Sequence, residues 1–139
     1  MTDPHFPASN RTIMVVDYNS DIVAIIKTIL EVKGYALQFA YSGQEAFNLL
    51  GEQKPDLIIL DILMPTIDGL EVLTRLKGDP DTASIPVILL MSKVEYKDVL
   101  IGYKMGANYY ITKPFTKGQL LEGINLVLGE DQGQSVGSL

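Results

Sequence analysis

Asp17, Asp61 and Lys113 are the side chains of this sequence whose types and positions could do chemistry together. Each closes a short apolar run: Val15-Val16 before Asp17, Ile58-Ile59-Leu60 before Asp61, and Tyr110-Ile111-Thr112 before Lys113. Two carboxylates brought to one edge suit a hard cation such as Mg²⁺. An ammonium beside them would neutralise an anion held by that cation. Much other chemistry is excluded. The chain has no cysteine, so it can build no disulfide, thiolate nucleophile or cysteine zinc site. Its single histidine, His5, rules out a histidine-pair metal site and reads as inert in the N-terminal segment.

The elements that must position these groups follow from the apolar texture. Buried-strand runs lie at Ile13–Val16, Ala36–Ala40, Leu57–Leu60, Val87–Leu90 and Tyr109–Ile111. Helical spacing fills the gaps. Ile22, Ile25, Ile26, Ile29 and Leu30 form a stripe that is read as core, ended by Gly34. Ser42–Glu45 and Thr116–Gln119 read as capping boxes, and Leu70, Leu73 and Leu76 mark a helix that stops near Gly78. A weaker helix covers Tyr96–Met105, stopped by Gly106. The order is β-α five times, which predicts an α/β three-layer sandwich on a parallel five-stranded sheet, a doubly wound (βα)5 fold. In such a sheet ligands bind beyond the carboxyl ends of the strands, where all three candidate groups fall.

The chain has 139 residues, 47% of them hydrophobic, and a net charge of −6. That fits one globular domain over residues 11–129, with a flexible N-terminus at 1–10 and a flexible tail or linker at 130–139. The acidic balance argues against direct nucleic-acid binding. There is no apolar core of signal-peptide length and no stretch of ~20 apolar residues, so the expectation is a cytoplasmic protein without membrane contact.

Four pieces of sequence carry a family resemblance: Val15-Val16-Asp17, Asp61-x-x-Met64-Pro65-x-x-Asp68-Gly69, Pro86-Val87 and Lys113-Pro114-Phe115. Together they resemble the receiver domain of two-component response regulators, in the chemotaxis-regulator style. The resemblance implies the flavodoxin-like strand order 2-1-3-4-5. It implies that Asp61 accepts a phosphoryl group from a sensor histidine kinase or phosphotransfer protein. Asp17, Asp61 and the backbone carbonyl of Leu63 would hold Mg²⁺, and Lys113, with a cis bond to Pro114, would contact the phosphoryl group. Tyr110 would be a switch residue reporting activation to a downstream protein or output domain. Such a chain relays a signal and is not an enzyme.

Two positions depart from the family pattern. Tyr18 stands where a second acidic residue is usual, which predicts weak Mg²⁺ binding. Met91 stands at the other switch position, where a hydroxyl is usual, and reads as core filler. Asp68-Gly69 reads as the turn that starts the third helix. A degenerate receiver that binds proteins without phosphorylation is the competing reading. A nucleotide-binding relative is disfavoured, because Asp17-Tyr18-Asn19-Ser20-Asp21 contains no glycine to admit a phosphate.

Overall fold

Three strands are almost wholly apolar because helices cover both of their faces. In the computed structural model, which describes residues 11–92 and 96–129, β1 (Thr12–Val16), β3 (Leu57–Asp61) and β4 (Val87–Met91) are buried throughout. The edge strands β2 (Ala36–Ala40) and β5 (Tyr109–Thr112) are only partly buried. All neighbours are parallel in the order β2-β1-β3-β4-β5, as expected. β3, β4 and β5 run one residue further at their carboxyl ends than their apolar runs suggest, so Asp61 and Met91 are last strand residues rather than loop residues.

The intervening helices are α1 (Ser20–Val32), α2 (Gly43–Glu52), α3 (Gly69–Gly78), α4 (Tyr96–Lys104) and α5 (Lys117–Leu128). Strand alternation divides the core in two. Met14, Val16, Leu60, Leu89 and Met91 face α2 and α3, whereas Ile13, Val15, Ile59 and Leu90 face α1 and α5. Residues 1–10, including His5, and 130–139 lie outside the described residues.

Helix ends follow local chemistry. Gly34 (φ 84°) and Gly106 (φ 108°) take the left-handed conformation just past α1 and α4. Thr116 and Gln119 form the expected capping box. Ser42 accepts from Glu45 N, but the Glu45 carboxylate reaches Tyr41 N at 2.8 Å, one residue before the cap, so the second box is only half formed. The α1 stripe is also corrected. Val23, Ile26 and Leu30 are its buried residues, whereas Ile25 is 49% exposed. The core line of α1 is thus rotated from the isoleucine line, because the sheet contacts only one side of the helix.

Candidate functional site

The carboxyl ends of β1, β3 and β5 bring the three charged groups together. Lys113 Nζ lies 2.8 Å from Asp17 Oδ2 and 3.4 Å from Asp61 Oδ1. Both carboxylates are buried, and the lysine is held under partial cover, its side chain 23% exposed. The backbone completes the setting. Asn19 N donates to Asp17 Oδ1 at 2.9 Å, and Leu63 N donates to Asp61 Oδ1 at 3.2 Å. The Asn19 side chain in turn caps α1, accepting from Asp21 N and Ile22 N. The Asp17 carboxylate is therefore tied to the first turn of that helix.

Asp61 is the perturbed group. Burial, and then the charge of Asp17, push its carboxyl up to about 7, against the opposing pull of Lys113 and the Leu63 N–H. Two carboxylates and one ammonium in a partly dry cleft make a site with an unsatisfied negative charge. It can hold a hard cation through oxygen donors or offer a carboxylate oxygen as a nucleophile. Among the described residues no cluster of three or more acidic, histidine or cysteine side chains forms a ready-made metal site.

The loop after β3 is built tightly. Ile67 N donates to Pro65 O at 2.8 Å across Thr66, whose φ is 70°. A β-branched residue there costs about 1–2 kcal/mol. The turn is held on its far side by Gly69 N, which donates to Ile62 O at 2.7 Å. Asp68 caps α3 by accepting from Glu71 N at 2.9 Å. Gly69 sits so close beneath the strand end that a Cβ there would collide with Asp61 O and Ile62 Cα.

Residues 13–125 match the family model described as the response regulator receiver domain. The chain belongs to that family. The receiver is 39% identical over 118 residues to the phosphate regulon transcriptional regulatory protein PhoB of Pseudomonas aeruginosa, covering 85% of this chain and 52% of the relative. It spans about half the length of the curated relatives it matches. Among solved structures it is similar to the chemotaxis protein CheY4 of Vibrio cholerae, with a TM-score of 0.81 and 25% identity, covering 86% of this chain and 100% of that one. The N-terminal domain of a response regulator receiver protein from Methanoculleus marisnigri is 41% identical with a TM-score of 0.67, covering 88% and 100%.

Within this receiver the atypical positions have clear surroundings. The Tyr18 side chain is 57% exposed beside buried Asp17. Met91 is fully buried in the core between the sheet and α2–α3. Tyr110 is half-buried against the same core. Leu63, 56% exposed, already uses its N–H on Asp61. Lys113–Pro114 is cis. Sequence reasoning missed Asn19, whose type as a helix-capping residue was the available signal, and the close approach of Gly69, for which the sequence carried only an Asp-Gly turn.

Proposed function

We propose that this receiver takes a phosphoryl group on Asp61 from a histidine kinase or phosphotransfer protein and passes the signal on by protein–protein contact in the cytoplasm. It is not an enzyme with a separate substrate, and it makes no direct contact with nucleic acid. What carries the reading is Lys113 Nζ, which lies within 4 Å of both Asp17 and Asp61 at the carboxyl edge of the sheet. In the reaction an Asp61 oxygen attacks phosphorus and forms a P–O bond. The donor's bond to phosphorus breaks, and the leaving group departs with its electron pair and takes up a proton. Lys113 offsets charge on the transferring oxygens.

Mg²⁺ fits these residues as a weakly held ion. Among the described residues, Lys113 Nζ and the Leu63 N–H both meet Asp61 at Oδ1, so Asp61 Oδ2, the Asp17 carboxylate and the Leu63 carbonyl would be its oxygen donors. Such an ion keeps several waters and needs only one or two carboxylates. When bound it would supply positive charge to the transferring oxygens. Tyr18 contributes no charge to it. Tyr18→Asp is therefore expected to tighten Mg²⁺ binding at least tenfold, about 1.4 kcal/mol, by calorimetry. Equal affinities would contradict the assignment.

The direct test is incubation with a small phosphodonor and Mg²⁺, followed by intact-mass measurement. The wild type should gain one phosphoryl mass increment and Asp61→Asn none. An adduct that persists in Asp61→Asn would sink the reading. A folded wild type that takes up nothing would favour a second one, a protein-interaction module independent of phosphorylation. The observation behind that alternative is the fully buried Met91, whose thioether cannot donate a hydrogen bond to a phosphoryl oxygen.

A further inference from the structure

We infer that the open edge of β2 is a docking surface for a second copy of this chain, joined strand to strand and antiparallel about a two-fold axis at Gln38. The inference stands on strand geometry and is independent of the phosphoryl-acceptor reading. β2 ends the sheet on the side away from β5 and pairs only with β1. Two backbone hydrogen bonds fix which of its groups face inward: Ala36 N donates to Arg11 O, and Ala40 O accepts from Asp17 N, both at 3.1 Å. Alternation therefore turns Leu37 and Phe39 outward, each presenting an N–H and a C=O to the open side. Among the described residues nothing takes up these groups. The next outward donor, Tyr41 N–H, is already held by Glu45 Oε1 at 2.8 Å, so the free stretch runs from Leu37 to Phe39. Open edges are usually blunted by charge or proline. β2 reads Ala-Leu-Gln-Phe-Ala and carries neither.

The same residues select a second copy as the occupant, because β2 reads nearly alike in both directions. Antiparallel pairing sets Leu37 of each copy against Phe39 of the other, and each such pair exchanges two N–H···O bonds. On the α1 face leucine then meets a phenyl ring, both already packed on that side of the core. On the α2 face Ala36 meets Ala40, and Gln38 meets Gln38 on the axis. The ends of the edge are complementary in charge. The Glu45 carboxylate sits at one end, on Tyr41 N–H, and the exposed Lys33, which closes α1, sits at the other, beside the turn into β2. Antiparallel pairing brings Lys33 of each copy towards Glu45 of the other. The net charge of −6 opposes association at low salt, so pairing is weak there and tightens as salt screens the repulsion.

The test is sedimentation of the full chain at high salt, from about 50 µM to about 1 mM, the range in which so small an interface associates. Wild type should pass from monomer towards dimer across it. Leu37→Pro should stay monomeric, since proline removes an outward N–H and leaves the ladder to β1 intact. Gln38→Lys, which can still donate to Gln53 O as Gln38 Nε2 does at 3.3 Å, puts two ammonium groups on the axis. Gln38→Glu puts two carboxylates there. Each should weaken pairing about threefold or more, and an equimolar mixture of the two should recover the wild-type affinity. Hydrogen exchange read by NMR on the wild type needs no variant. The Leu37 and Phe39 amides should exchange about threefold more slowly at the higher concentration, while the Gln38 amide, bonded within the sheet, should not change. A wild type that stays monomeric throughout overturns the inference. So does a dimer that Leu37→Pro leaves intact, or a mixture of the two folded Gln38 variants no tighter than either alone. Leu37 and Phe39 amides that exchange alike at both concentrations also overturn it, since the edge is then open or covered by the chain itself.

Discussion

Gly69→Ala is expected to cost about 3 kcal/mol or more of stability and to abolish phosphoryl uptake with it. Overpacking a tight site costs typically 1–3 kcal/mol, and more where the obstacle cannot turn aside. Here the added methyl would meet backbone on both counts, the carbonyl oxygen of Asp61 and the Cα of Ile62. Relief requires moving the strand end that carries the acceptor carboxylate, or breaking the Gly69 N to Ile62 O hydrogen bond of 2.7 Å. Gly51→Ala is the matched control. Gly51 lies within α2, and nothing stands inside 4 Å of the place its added methyl would take, so alanine there should stabilise by about 0.5–1 kcal/mol. Urea denaturation of both variants checks the pair. If Gly69→Ala matches the wild type within about 0.5 kcal/mol, the close approach is not a constraint.

Asp61→Asn is expected to stabilise the metal-free protein, and to do so more as pH rises. The folded carboxyl is raised from 3.8 to about 7 by burial and by Asp17. Between those values the folded state keeps a proton that the unfolded chain has lost. Stability therefore falls as pH rises through that window, and the loss is complete above about 7. A shift of this size corresponds to about 2–4 kcal/mol at pH 8. Asparagine removes the ionising group and keeps a similar shape, while Lys113 retains Asp17 at 2.8 Å. In the presence of a chelator, the stability gap between variant and wild type should be about twice as large at pH 8 as at pH 5.5. An equal gap at both values would mean that the charge on Asp61 is not the cause.

The strands were legible because a strand buried on both faces can only be written as an apolar run, as in Ile58-Ile59-Leu60. The site was legible as far as its charged groups, since Asp17, Asp61 and Lys113 each end such a run. What escaped was anything set by approach in three dimensions. The α1 stripe misled because a helix carrying five isoleucines and leucines can be rolled several ways, and only the sheet beneath selects Val23, Ile26 and Leu30. Asp68-Gly69 announced a turn but not the absence of room above Gly69. The Tyr103–Tyr110 contact joins a helix to a strand whose relative height is set by Gly102, and no local periodicity encodes that.

The central place of β1 in the sheet has a consequence for the growing chain. Its partners β2 and β3 are both complete once residue 61 has been made. At translation rates of about 5–20 residues per second, roughly 3–10 s separate the synthesis of Asp61 from that of Lys113. During that interval any repulsion between Asp17 and Asp61 lacks Lys113 as its counter-charge. The expected order puts the docking of β5 late, drawn by the attraction of Lys113 to the two carboxylates as well as by apolar contact. In refolding kinetics this ordering should appear as a φ-value near zero for Lys113→Met, against substantial values for truncations in β1 and β3.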